Sequence, residues 1–227
     1  MKGTKWDPVW EKIFSSQEWG KYPAEQLVRF VARNYYNTPN RSKVRFLEIG
    51  CGPGGNIWYL CREGFGFVGI DGSTTGIKKA KERLDNECPD WKERGELIVA
   101  DIKKLPFPDC SFDAVIDNEC VYCHDFETSI EIYKEVSRVL RVDGKLFVRT
   151  FATGSWGDAT GEKCGENTWY CGEGPLLGKG LSRFTDENDV PKLLVNFKIE
   201  SIDTLTYLHT NIDHKTKELI INAIKVV

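Results

Sequence analysis

The chain has 227 residues, 41% of them hydrophobic, and 21 glycines, which is enough apolar material for one sizeable α/β domain with trimmings. Its 31 basic and 34 acidic side chains leave a net charge of −3, so there is no footprint for bulk nucleic-acid binding. No apolar run approaches the roughly 18 residues that a membrane helix needs, and residues 1–14 lack an apolar signal core. The eight cysteines are therefore expected as free thiols of a cytoplasmic protein.

In chain order, residues 1–22 carry Trp6, Trp10 and Trp19 and read as irregular. Pro23 is placed to open a helix, because proline in a first turn loses no hydrogen bond. Ala24, Leu27, Val28, Val31 and Tyr35 then share one helical face, and the turn-rich stretch 37–43 ends it. Short apolar runs alternate with helical patterns after that. Strands are predicted at 44–49, 66–71, 96–100, 112–117 and 144–151, with helices at 55–63, 74–87 and 126–140. The last helix places Phe126, Ile130, Tyr133, Val136 and Leu140 on one face. Such alternation predicts a parallel sheet covered on both faces. Residues 152–182 hold eight glycines and read as a long structureless loop, either functional or mobile. A short helix at 186–195 follows, then two β-rich runs, 197–208 and 218–226, with no helical crossover between them. Those runs are expected to pair antiparallel at one sheet edge.

The strongest signal is Glu48-Ile49-Gly50-Cys51-Gly52-Pro53-Gly54-Gly55, between the first strand and a helix. Glycines there let the backbone turn sharply and a ligand approach it closely. The helix start adds amide donors and a positive dipole end. Asp71 follows Gly50 by 21 residues, at the tip of the second strand, where a carboxylate accepts from both hydroxyls of an adenosine ribose. Gly50, Gly52 and Gly55 also satisfy G-x-G-x-x-G, so a nicotinamide dinucleotide is one reading and a ligand-free turn another. Glu48 leans against the dinucleotide, since an acid is unhelpful beside a pyrophosphate and suits an ammonium group. Asp101 follows the third strand, where it could accept from an adenine amine while Ile102 packs on the ring; an ordinary surface aspartate is the alternative.

These motifs in this order resemble the class I S-adenosylmethionine-dependent methyltransferases over roughly residues 44–151. The resemblance implies that Glu48, Gly50, Cys51, Gly52 and Gly54 cradle the methionine part of S-adenosylmethionine, which leaves as S-adenosylhomocysteine. It implies Asp71, with Gly72 and Ser73, at the ribose and Asp101 and Ile102 at the adenine. The run 112–118 matches the fourth-strand motif, which puts Asp117 and Asn118 at the reactive end. Residues 140–146 match a family turn into strand five, with Val142 and Asp143 in place of Pro-Gly. The implied fold is α/β, a doubly wound Rossmann-like seven-stranded mixed sheet with an antiparallel terminal strand and an N-terminal helical cap. One domain is expected over 1–227, with a cap or lid at 1–36, a cofactor-binding core at 44–151 and an acceptor-side loop with the terminal strands at 152–227. Trp19 and Tyr22 lie in Trp-Gly-Lys-Tyr-Pro, similar to an element of some small-molecule members; they read as a lid over the cofactor or as a staple on the following helix.

The expected activity is methyl transfer to a small-molecule acceptor, with a nicotinamide oxidoreductase or a non-catalytic S-adenosylmethionine-binding protein as alternatives. His124, after the fourth strand, is the expected general base, weighed against a structural loop histidine. Cys120, Cys123 and His124 form a literal C-x-x-C-H, but neither haem nor zinc is expected, and the two cysteines read as packing residues. Trp156, Trp169 and Tyr170 are expected to wall the acceptor pocket, while His209 and His214 flank the last turn as structural or exposed side chains.

Overall fold

A helix that the sequence period does not reveal opens the first of two compact units, Met1–Leu105. In this computed structural model, residues 7–209 and 214–226 are described; Trp6 and the last turn, between His209 and His214, lie outside them. Where an irregular stretch was expected, α1 (Val9–Ser16) buries Ile13 and Phe14. Two turns are too short to show a period, and such a helix stands on packing rather than propensity. The next helix, α2 (Glu25–Tyr35), buries Leu27, Phe30 and Val31. Its N-cap is Ala24, so Pro23 stands just outside the first turn rather than in it.

The rest of this unit is β1 (Arg45–Ile49), α3 (Gly55–Arg62), β2 (Gly66–Asp71), α4 (Thr74–Glu87) and β3 (Gly95–Val99). The three strands run parallel, with β2 in the middle and buried throughout, as a strand covered on both faces should be. A side chain at Gly69 of β2 would put Cβ 2.7 Å from Leu97 Cδ2 and 2.9 Å from Cys51 Sγ. Ser73 caps α4, its Oγ accepting from the Gly76 amide at 2.9 Å, and Ile77, Ala80 and Leu84 form the buried stripe.

The second unit, Pro106–Val227, starts with β4 (Phe112–Asn118), α5 (Phe126–Val139) and β5 (Leu140–Phe151), a parallel pair with its crossover helix. Asp125 caps α5 by accepting from the Thr128 amide at 2.7 Å. The buried face of α5 is Ser129, Ile132, Tyr133, Val136 and Val139, rotated from the expected one, with Phe126 and Ile130 only half-buried. The expected turn into the fifth strand is an irregularity within β5: pairing passes from Phe112 with Leu140 to Ala114 with Lys145, and Asp143 takes a left-handed φ of 62°.

Residues 152–182 are not structureless. They hold β6 (Glu162–Gly165) and β7 (Thr168–Tyr170), which with β8 (Leu181–Arg183) make a three-stranded antiparallel sheet. Strands this short carry too few residues for an alternation to register. A single turn, α6 (Val190–Leu193), precedes β9 (Phe197–His209) and β10 (His214–Lys225). β10 pairs antiparallel with both β5 and β9. β9 is largely exposed and carries charged side chains, which protect an edge strand from pairing with other chains. The sheet order is β3-β2-β1-β4-β5-β10-β9, seven strands in a mixed sheet. Among the described residues no helix is long and apolar enough to cross a membrane.

Candidate functional site

The link from β1 to α3 is a turn of left-handed glycines. Gly50, Gly52 and Gly54 have φ of 65°, 48° and 79°, a region that L side chains enter at a cost. The turn is pinned to β2 by the Cys51 amide, which donates to Ile70 O at 3.1 Å. Asp71, at the tip of β2, is 6% exposed. Its Oδ2 accepts from the Gly52 amide at 2.8 Å and its Oδ1 from the Ser73 amide at 2.7 Å. Burial pushes the Asp71 carboxyl above the usual carboxylate range, against the pull of those two amides, and the Glu11 charge adds to the rise. Each oxygen accepts one amide and keeps lone-pair capacity for a second donor.

Glu48 is buried at the end of β1 and accepts from Asn56 Nδ2 at 2.6 Å. Asn56 Oδ1 in turn accepts from the Ala24 amide at 3.3 Å. That chain ties the start of α2 to the glycine turn. Cys51 is buried, and burial, then Asp71 and Glu48, push its thiol up, which disfavours the thiolate.

The segment before α2 lies against the same turn. A Cβ on Gly55 would be 3.1 Å from Gly20 O and 3.4 Å from Tyr22 O. Trp19 packs edge-on against Trp10 and Phe14 of α1, and Tyr22 edge-on against Trp58 of α3. Arg83 of α4 stacks over Trp58 and donates to Lys21 O.

Two residues here carried no sequence signal. Glu11 accepts from Ser73 Oγ at 2.6 Å and from the Thr75 hydroxyl. Phe14 sets its ring against Gly52 and Gly76, where a Cβ would come within 3.1 Å and 3.2 Å of it. α1 therefore roofs the glycine turn. Asp101 leaves the sheet beside the tip of β2, where the Ala100 amide donates to Asp71 O at 3.1 Å. Its carboxylate accepts from the Lys103 amide and pairs with that lysine at 3.4 Å, while Ile102 is buried.

In the second unit, Asp117 is 1% exposed and accepts three hydrogen bonds. Its Oδ1 accepts from the Cys120 and Val121 amides at 2.9 and 3.2 Å, and its Oδ2 from the Tyr133 hydroxyl at 2.6 Å. Burial pushes this carboxyl up against those bonds and the field of the buried Arg183. Asn118 differs: its Oδ1 is buried and accepts no hydrogen bond. His124 stands between the 3-10 turn Val121–Cys123 and α5, half-buried, its amide donating to Val121 O at 3.1 Å. Trp156 stacks on His214 at 4.5 Å and, with His209, Asp158 and Lys215, lines a cavity of about 450 Å³. Trp169 sits under Lys163, and Tyr170 is exposed. All eight cysteines are free thiols.

A parallel sheet with a glycine turn at its first strand and an acid at the tip of the second is the arrangement of a Rossmann-like fold. Residues 47–148 match the family described as a methyltransferase domain. A fatty-acid O-methyltransferase of Mycolicibacterium smegmatis is 32% identical over 126 residues, which are 53% of this chain and 43% of that protein. A phthiotriol/phenolphthiotriol dimycocerosates methyltransferase of Mycobacterium leprae is 36% identical over 109 residues, 47% of this chain and 37% of that protein. The match thus spans less than half the length of these curated relatives. The crystal structure of an S-adenosylmethionine-dependent methyltransferase from Methanosarcina mazei has a TM-score of 0.69 at 24% identity, covering 81% of this chain and 92% of that one. Residues 47–148 are thus similar to a methyltransferase domain, and the fold is that of solved S-adenosylmethionine-dependent methyltransferases.

Proposed function

We propose that this chain, acting as one catalytic domain in the cytoplasm, transfers a methyl group from S-adenosylmethionine to a small-molecule acceptor. The observation that carries the reading is the left-handed glycine turn backed by the buried Asp71 carboxylate. The fit is good on chemistry: Asp71 retains acceptor capacity for two ribose hydroxyls, and the glycines keep side chains out of the cradle. Glu48, Gly50, Cys51, Gly52 and Gly54 would hold the amino-acid end, Asp71, Gly72 and Ser73 the ribose, and Asp101 with Ile102 the adenine, under a cover of Trp19 and Tyr22. Asp117 and Asn118 would serve the reactive end, and the buried Asn118 Oδ1 is an acceptor awaiting a donor.

When bound, the cofactor supplies a methyl carbon already activated by a sulfonium. The chain's own part is to align the acceptor atom and exclude water, and orientation of this kind is worth roughly 7–11 kcal/mol. The two relatives reported above are named for a fatty acid and for phthiotriol compounds, which supports an acceptor of small-molecule size.

Titration calorimetry with S-adenosylmethionine and S-adenosylhomocysteine tests the cofactor assignment. Asp71→Ala should weaken binding at least about tenfold, the loss of one charge-assisted hydrogen bond. Asp71→Asn, which keeps an acceptor for the Gly52 or Ser73 amide, should still bind more weakly than the parent chain. An unchanged dissociation constant in both variants would refute the ribose assignment.

A further inference from the structure

Glu119 is the first residue beyond the carboxyl end of β4, the edge at which open α/β sheets bind their ligands. Its backbone is left-handed at φ 58°, a conformation that a non-glycine residue keeps only where its surroundings enforce it. The enforcement is visible: its amide donates to Arg149 O at 2.8 Å, and its carboxylate meets Arg149 Nη2 at 3.2 Å. Arg149 lies on β5 and also binds Glu218 of β10, with contacts of 2.7 and 2.9 Å.

One guanidinium thus serves two carboxylates, whose negative charges act on each other. The pair is unequal. The Glu218 side chain is 4% exposed and spends both oxygens on Arg149, whereas that of Glu119 is 27% exposed. Only Glu119 has a carboxylate that a small molecule could reach.

We propose that Glu119 takes the proton from the methyl acceptor, and that the acceptor is accordingly a protic nucleophile, a hydroxyl or an amine, rather than a carboxylate. This rests on the methyl-transfer reading above. The acceptor's X–H bond breaks, its electron pair forms the bond to the methyl carbon, and the carbon–sulfur pair leaves with sulfur. Glu119 receives the proton and ends neutral, as the positive charge of the sulfonium disappears. A carboxylate acceptor has no proton to give and would enter beside Glu119 and Glu218 as a third anion.

The surroundings suit the task. Burial lifts the Glu119 carboxyl to about 7; Arg149 opposes the rise, Glu218 adds to it and Lys179 opposes it more weakly. Tyr122, from the 3-10 turn, lies within electrostatic reach of Glu119, and Tyr207 of β9 within that of Arg149. A base whose pKa lies near the working pH transfers protons most effectively. Arg149 and Glu218 are then positioning residues.

The test uses the full chain. In carboxyl-labelled glutamate NMR with S-adenosylhomocysteine present, the resonance lost in Glu119→Gln should titrate between about pH 6 and 8. Glu218→Gln, which removes a neighbouring anion, should move that midpoint down by about one pH unit. A midpoint below about pH 5, the ordinary range, would overturn the proposal.

With labelled S-adenosylmethionine and phenethylamine, catechol or octanoate as probes, transfer is expected to the amine or the phenol. Glu119→Gln should lower it by roughly 10²–10⁴-fold with the cofactor dissociation constant unchanged, and Glu119→Asp should recover part of it. Transfer to octanoate alone, transfer to none of the three, or full activity in a folded Glu119→Gln would overturn it. So would loss of transfer in His124→Ala with none in Glu119→Gln. Failure of the parent chain to bind the cofactor would instead strike the methyl-transfer reading.

Discussion

Two glycines of the first unit, Gly20 and Gly54, show how differently the same residue type is constrained. Gly54 holds φ at 79°, and a Cβ there would stand 2.9 Å from Ala80 Cβ. Gly54→Ala should therefore cost about 2 kcal/mol or more in urea unfolding, from left-handed strain plus overlap with α4. Gly20 has no atom within 4 Å of its Cβ position and no left-handed φ. Gly20→Ala should be neutral or stabilise by up to about 1 kcal/mol, because it narrows the unfolded ensemble. Equal losses in both variants would mean that the turn is not what sets the requirement.

At the scale of elements, α1 is the one whose removal should matter most to the glycine turn. Phe14 is 5% exposed and sits on Gly52 and Gly76. Phe14→Ala should destabilise the chain by about 3 kcal/mol in denaturant unfolding. Glu11 contributes by charge: hydrogen bonds from the Ser73 and Thr75 side chains hold its carboxyl below the usual carboxylate range. A lowered acid stabilises above its unfolded pKa and loses that contribution as pH falls through its folded one. The stability gap between the parent chain and Glu11→Gln should accordingly be open at neutral pH and close in acid. Asp125→Ala, removing the cap of α5, should cost about 1 kcal/mol by the same measurement.

Across the whole molecule, buried carboxyls run in the opposite direction. Burial raises Asp71, Asp117 and Glu119, so what they contribute is complete below the ordinary carboxylate range and fades as pH rises through their folded pKa values. For Glu119 that fading extends to about 7, and Glu119→Gln should flatten the fall in melting temperature between pH 5 and 8. The thiols give an independent check on the packing. Cys110 and Cys164 are exposed, while Cys51 is buried and burial lifts Cys61 to about 12. A thiol reagent should label the first pair in the native chain and the second pair only on unfolding.

Local signals carried the first half of the architecture far. β1, the glycine turn, Asp71 and the Ser73 cap fall within one strand-turn-helix-strand unit, where period, capping and left-handed glycines act on near neighbours. The three-residue strands of the small sheet fell below any such period. Nothing local marks Glu11 as the partner of Ser73, 62 residues away, or Arg149 as the partner of Glu218, 69 residues away. Those contacts exist because a helix docks on a turn and because β10 inserts between β5 and β9. Docking and strand register depend on the packing of the whole chain, and no short stretch of residues encodes them.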